Sequence, residues 1–474
     1  MDPANPPQPR LFYPSFPILD NRIASLSVND PQARAADTKP AGPLPHRRHR
    51  VSRSHDAQRS IDRFWSRFTS SNPSKPWLIL PNNTYPNRLS TYHRLDSPEP
   101  GRNALHSYDA AREQCVAKVD KIVKECRRLN QKYRDPHFDI EADFRQWRAA
   151  CDAAAEAGAY VETAVPFSDC LMGLIEDGEG SKLHPASVKR VEDIFEDPRF
   201  FIEGATASDI RQGREGDCWF MSALTTLSNK EGLIQRVCVA RDEEVGVYGF
   251  VFHRDGEWIS EVIDDKLYLI KEDFNDVATA ERKKWMDIGH RNNPEEEWRI
   301  GMQTGSRALY FAQCRDENET WLPLLEKAYA KAHGDYASLE TGFVGEGIED
   351  LTGGVTTELF STDVLDKEKF WKEELLKVNQ EFLFGCGQMG GKYGSRNGIV
   401  EKHAYSIMEA REVNGQRLLK LRNPWGNTEW KGAWSDGSSE WTPEWMTLLN
   451  HKFGDDGVSS RVKTQLRKWT DLKC

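Results

Sequence analysis

The sequence is short of apolar residues, of paired cysteines and of long hydrophobic runs, and each shortage removes a class of protein. Hydrophobic residues make up 38% of the 474 residues, too few for the whole length to be packed into cores. No apolar run approaches the ~20 residues that cross a bilayer. The N-terminus lacks the ~7–15-residue apolar stretch of a secretory signal. The nine cysteines are scattered, odd in number and never spaced as CxxC, which excludes a disulfide framework and a cysteine-ligated zinc site. The expectation is a cytoplasmic protein with mostly buried thiols. No internal repeats appear.

Proline and charge divide the chain at one place. Residues 1–104 hold 16 of the 24 prolines and carry 15 Lys or Arg against 8 Asp or Glu, a net of +7, whereas the whole chain is −10. So little apolar surface cannot offset the backbone entropy lost on ordering, so 1–104 is expected to be a disordered basic tail. The remaining body carries −17, which argues against nucleic acid as its partner and leaves cations, calcium among them, as candidates. Within the tail, the Arg-His cluster at Arg47, Arg48 and Arg50 could make weak contact with an anionic membrane or act as a nuclear signal; such a run is more often simply solvated.

Beyond the tail, periodicity takes over. Tyr108, Ala111, Cys115, Val119, Ile122, Cys126, Leu129 and Tyr133 recur at steps of three and four, which predicts an amphipathic helix over 105–132. Its apolar stripe suits a docking or coiled-coil role, but packing against its own body is the simpler reading. A second helix is expected from Glu141 to Ala157. Strands are expected from Gly246 to Leu269 about an Asp255-Gly256 turn. The charged stretch 271–306 reads as a surface insertion, and Trp321 to His333 as a helix. A glycine-marked stretch ending at Gly353-Gly354 reads as a hinge. Phe370–Val378 then reads as a helix, Glu381–Cys386 as a strand, and His403–Asn423 as a hairpin. The simplest partition is two lobes, 133–353 and 354–474.

Two places carry chemistry. In RQGREGDCWFMSALTTL, Gly213 and Gly216 make a tight loop, Cys218 ends it, and a helical run follows. A cysteine at a helix N-terminus feels the positive end of the macrodipole, which favours its thiolate. Its N–H points outward toward a developing oxyanion, and the Gln212 amide offers a second donor. Any one of the other eight cysteines is better read as an inert buried thiol. Among twelve histidines, His403 alone opens an apolar strand, HAYSIMEA, that turns at Asn414-Gly415 and returns as RLLKLRNPWG. His403 and Asn423 therefore share the open end of one hairpin. There the Asn carbonyl orients the imidazole and Trp425 roofs the hydrogen bond. A strict two-residue turn would pair His403 with Gly426 and put Asn423 on the opposite face, so a bulge or a longer turn is required.

QGREGDCWF, HAYSI and LRNPWG resemble the three catalytic blocks of calpains, and SVKRVEDIF, FFIEGATASDIRQG, LPLLEKAYAKAHGDY and EGIEDLTGG resemble further text of the same protease core. The resemblance runs from about Tyr133 to Asp436 and looks more like fungal or plant-type than animal members. It implies an α+β, papain-like core split into two lobes. Cys218 and Gln212 would lie on the first, and His403, Asn423 and Trp425 on the second. It also implies a calcium-dependent endopeptidase acting on exposed, flexible segments of other proteins. Carried over by motif, one calcium site would use Asp209, Glu326 and the carbonyls of Ile202 and Gly204. The other would use Glu429, Asp436 and Asp456.

Three departures stand against the resemblance. Lys402 occupies the place where calpains usually have glycine before the histidine. Val458 stands where an acid is expected, so the second calcium site is the weaker one. No β-sandwich or EF-hand text follows, which suggests a shortened form. The competing reading is therefore a catalytically weak, partner-binding scaffold; a transglutaminase is disfavoured by GDCWF together with RNPWG.

Overall fold

The computed structural model describes residues 104–156, 170, 185–287, 293–361, 363–388, 396–426, 430–450, 459–463 and 472–473. The tail expected over 1–104 lies outside these residues, save for its last position. None of the helices among the described residues is long and apolar enough to cross a membrane.

The predicted amphipathic helix is α1, Ala104–Leu129. Its stripe is not left for a partner. Tyr108, Ala111, Cys115 and Val119 bury themselves against Val247, Val251, Trp258 and Val262 of the chain's own sheet. Helix α2, Ile140–Glu156, leads into the body. Four small sheets follow. Strand β1 (Ser187–Arg190) pairs with β6 (Lys266–Leu269), and β2 (Ile210–Arg211) with β7 (Gln313–Cys314). β3 (Cys238–Asp242), β4 (Val247–Arg254) and β5 (Glu257–Asp264) form an antiparallel meander, with Asp255-Gly256 at its turn.

Helix α3, Cys218–Ser228, is buried on every side from Trp219 to Leu227. A helix apolar all round belongs in an interior, and α3 forms the middle of the largest core together with α6 (below). The charged stretch 271–306 is more than a surface insertion. It forms α4 (Thr279–Asp287) and α5 (Pro294–Met302), where Trp298 is buried with Phe274 and Val277 in a small core of their own. Helix α6, Trp321–His333, has the bounds that its periodicity predicts.

The glycine-marked hinge is instead a helix, α7, Val344–Thr352, closed by Gly353 in the left-handed region at φ 69°. Its glycines answer to packing: a Cβ on Gly347 would lie 2.8 Å from the Ala223 Cβ of α3. Helix α8, Lys367–Glu373, is shorter than Phe370–Val378 suggested and gives way to a 3-10 turn at Leu375–Lys377. The strand expected at Glu381–Cys386 is β8, Gly385–Gln388.

The fourth sheet has five strands in the order β11-β10-β9-β8-β12. β9 (His403–Val413) and β10 (Gln416–Arg422) are the predicted hairpin; Asn414 and Gly415 hold φ of 49° and 70°, the type I′ signature. α9, Pro443–Leu448, precedes β11 (Ser459–Lys463), which pairs along β10; β12 (Leu472–Lys473) closes on β8. The C-terminal text that departs from the calpain pattern thus contributes both edges of this sheet. Tyr405, Ile407, Leu419 and Leu421 pack with Phe370 and Trp371 in a second core. The architecture is α+β, helices with several small sheets.

Candidate active site

Geometry at the open end of the hairpin follows from one irregularity. From the turn, β9 and β10 pair one to one as far as Lys420↔Glu409, then shift to Leu421↔Ile407 and Arg422↔Ser406. Met408 is the extra residue of a bulge. Continuing the shifted register brings Asn423 opposite Tyr405, hence onto the face of His403; the strict register would have turned it away. The side chains meet there. His403 Nε2 lies 2.7 Å from Asn423 Oδ1, which also accepts from the Trp425 N–H at 3.0 Å. An atom that accepts from a backbone N–H is the carbonyl oxygen, so Nε2 carries the imidazole hydrogen and Nδ1 keeps the lone pair. The Trp425 ring stands 4.3 Å from the imidazole. Burial pulls His403 down to about 4, against a smaller upward pull from Asn423.

The nucleophile loop is tied to this end of the hairpin by backbone. Gln212 N–H donates to Pro424 O at 2.9 Å, and Arg422 Nη2 donates to Ser208 O at 3.2 Å. Gly213 has to be glycine, because a Cβ there would fall 2.2 Å from the Phe311 carbonyl carbon. Cys218 is the first residue of α3 and sits under the Ala404 N–H, one residue from His403. Down the helix, Thr226 Oγ1 meets Ser406 Oγ at 2.8 Å, and Asn229 Nδ2 meets Met408 Sδ at 3.3 Å. One face of α3 thus runs along alternate residues of β9, which fixes Cys218 relative to His403. The Gln212 amide gives one hydrogen to Glu215 O at 2.7 Å and also lies against the Asp217 carboxylate.

The thiol does not behave as its place at a helix N-terminus suggests. Burial pushes Cys218 up to about 11, the Ala404 N–H opposes this, and neighbouring Asp217 adds to it. The macrodipole, a fractional charge at the surface of the first turn, is outweighed by desolvation and by a buried acid next door. Cys218 and His403 are therefore both uncharged at neutral pH.

The first cation site needs a correction. Glu326 does not join Asp209: it is buried within α6, accepts from Ala312 N–H at 2.9 Å, and faces Asp217 and Glu215. The acid beside Asp209 is Glu319, two residues before α6. Its Oε1 accepts from the Ile202 N–H at 2.8 Å. Burial raises Glu319 to about 7, with Asp209 and Asp316 adding repulsion, and burial raises Asp209 too. Glu203 and Gly204 both have positive φ, 58° and 91°, which folds the Ile202–Gly204 segment into a tight turn. Two partly buried carboxylates that repel each other, beside a turn of backbone carbonyls, suit a hard, oxygen-seeking cation. The sequence pointed to Glu326 because it lies inside the matched text LPLLEKAYAKAHGDY, whereas Glu319 stands just before that text; the local clue against Glu326 was that it sits mid-helix on an apolar face. Of the second set, Glu429 and Asp456 lie outside the described residues, and Asp436 follows Trp434 in the segment before α9.

The model of the calpain family cysteine protease matches residues 167–290 and 301–464. The calpain-type cysteine protease ADL1 of Oryza sativa subsp. japonica is 34% identical over 277 residues, 57% of this chain and 11% of that protein. DEK1 of Arabidopsis thaliana, also a calpain-type cysteine protease, is 31% identical over 344 residues, 68% and 14% respectively. The calpain-1 catalytic subunit of Sus scrofa is 33% identical over 348 residues, 70% and 43% respectively. The chain thus spans less than half the length of these relatives. With the family model covering more than half of its residues, the chain belongs to the calpain family of cysteine proteases.

Proposed function

We propose that the chain is a calcium-regulated cysteine endopeptidase that cuts exposed, flexible segments of other proteins. The observation that carries this reading is the hydrogen bond of His403 to Asn423 at 2.7 Å, roofed by Trp425, with Cys218 on a buried helix against the N–H of Ala404, the residue after His403. His403 Nδ1 takes the Cys218 proton as the sulfur adds to the scissile carbonyl carbon, and the bond's electrons move onto the carbonyl oxygen. The Cys218 N–H and the Gln212 amide receive that charge. His403 then returns the proton to the leaving amine, and water hydrolyses the thioester. Because thiol and imidazole both rest uncharged, the proton moves only when substrate supplies the carbonyl.

Asp209 and Glu319, with the carbonyls of Ile202 and Gly204, are the residues that would hold calcium. A bound cation supplies the positive charge that relieves their repulsion. The loop from Asp209 to Gln212 would then stay in place through β2. Asp436, with Glu429 and Asp456, would form the second site. Soluble, cytoplasmic action fits the reading, as does the absence of a nucleic-acid partner for so acidic a body.

The test is casein digestion by the full chain with and without calcium, for wild type, Cys218→Ala and Gln212→Ala. Calcium-stimulated cleavage lost in Cys218→Ala, and lowered ~10²–10³-fold in Gln212→Ala, is expected; cleavage surviving in Cys218→Ala would refute the thiol mechanism. In calorimetric titration with calcium alone, Glu319→Gln should weaken binding and Glu326→Gln should not. The uncharged Cys218 and His403 also favour a second reading, a chain that binds partners without cutting them; the same assay decides, since that chain leaves casein intact.

A further inference from the structure

Behind Cys218 the chain buries acids for which the mechanism has no use. Asp217 is the N-cap of α3, a place where an Asp side chain ordinarily accepts from the helix's first N–H groups. It does not: the Asp217 carbonyl accepts from Phe220 and Met221, while its carboxylate caps nothing. Both Asp217 carboxylate oxygens are buried without a hydrogen-bond partner of normal geometry, as are Glu326 Oε1 and Gln212 Oε1. Asp217 and Glu326 face one another, 0% and 1% exposed. The titratable groups around them are acids, phenols and a thiol: Glu215 beside both, Glu340 and Asp335 beyond it, Tyr336 next to Glu326, and Cys218 itself; the donors are neutral, the Gln212 amide at Asp217 and the Ala312 N–H at Glu326 Oε2. Two ionised carboxylates side by side in such a place would repel each other with their hydration lost.

We propose that Asp217 and Glu326 share one proton as an acid–carboxylate pair, and that this pair positions the turn carrying Gln212 and Cys218. The arrangement explains the uncapped N-cap, since the Asp217 side chain is turned to Glu326 rather than to the helix. It also explains why an acid stands in the middle of a buried helix. The pair spans the loop and α6, so it holds the loop against the core from below while the Pro424 carbonyl holds it from above. Burial raises both acids; Asp217 raises Glu326 further, whereas the Glu326 and Gln212 side chains pull Asp217 back down, in line with one proton retained, on Glu326, at neutral pH. The role rests on the protease reading only in naming what is positioned.

The experiment measures alkylation of Cys218 by iodoacetamide, located by mass spectrometry, in the full chain across about pH 5 to 9, with melting recorded alongside. The variants are Glu326→Gln, Asp217→Asn and Glu326→Ala. An amide opposite a carboxylate reproduces the hydrogen bond and the single charge, so Glu326→Gln and Asp217→Asn should alkylate within about threefold of wild type near neutrality. Glu326→Ala leaves Asp217 facing a void and should change the rate at least about tenfold. In wild type, loss of the shared proton places a second charge beside Cys218, so the rate should climb less steeply with pH there; neither amide variant should show this inflection. An inflection retained in both amide variants overturns the pair, as does a Glu326→Ala rate and profile equal to wild type. If Glu326→Ala does not fold, the two amide variants decide alone. Alkylation needs no peptide cleavage: the predicted pattern without casein digestion refutes the protease reading and keeps the pair, and digestion without the pattern does the reverse.

Discussion

At Cys218 two influences of opposite sign meet, and their sizes decide the outcome. A helix N-terminus contributes about 0.3–1 kcal/mol in favour of the thiolate. The rise from 9.0 to about 11 corresponds to roughly 3 kcal/mol against it. In calcium-free protein at pH 7, Cys218 should therefore react with iodoacetamide ~100-fold more slowly than a small free thiol; an equal rate would mean that the sulfur is already a thiolate. His403 gives a stability signature of the other kind. The unfolded chain protonates it near 6.5 but the folded protein only near 4, so stability is lost as pH falls through that interval. Denaturant melts at about pH 7 and pH 4.5 should show a smaller acid loss in His403→Gln than in wild type. Next to it, Lys402 holds φ 53°, a conformation that costs a side chain roughly 1–2 kcal/mol. Lys402→Gly should relieve this, less the extra freedom of glycine in the unfolded chain, for a net gain of about 0.5–1 kcal/mol. A fall in melting temperature would show that the lysine's own contacts outweigh the strain.

At the scale of elements, the site depends on α3 being clamped between β9 and α7. The α7 side of the clamp is close: Gly342 and Gly347 lie where any Cβ would press on Trp219 or Ala223. Gly347→Ala has nothing against it in helix propensity, being favourable by about 1 kcal/mol in an exposed helix. Overpacking should reverse the sign and destabilise by about 1–3 kcal/mol, with turnover falling as α3 shifts along β9. Thermal melting and casein turnover of that variant check both; a variant more stable than wild type would mean that α7 does not press on α3. The same clamp explains a misreading. Several glycines near a boundary look like a linker in one dimension, and only the facing helix shows that they allow close approach.

Across the whole molecule, buried charge ties distant parts of the chain together. Lys327 of α6 and Asp264 of β5 pair at 2.5 Å with neither side chain exposed, and Lys331 reaches Asp135 at 2.8 Å. Lys327 also donates to the carbonyls of Asp264 and Lys266, so every hydrogen of the ammonium is used. Lys327→Met should cost about 3–5 kcal/mol, because it leaves Asp264 charged and buried with less to balance it. The double variant with Asp264→Asn should recover part of that loss. Denaturant unfolding of the two checks the claim, which fails if Lys327→Met melts like wild type.

The sequence by itself determined the features that are local. Periodicity set α1 and α6, the Asn-Gly dipeptide set the β9–β10 turn, and the glycine-framed Cys218 and strand-opening His403 stood out before any fold was known. It also determined that the hairpin needed an irregularity, because a one-to-one register would put Asn423 on the wrong face. What it left to tertiary structure were matters of who faces whom. Met408 takes the extra place in β9, with its sulfur against Asn229 at the end of α3. Glu319 rather than Glu326 stands beside Asp209 because α6 turns the second glutamate inward. Cys218 stays a thiol because burial, which no single residue encodes, outweighs the helix end it occupies.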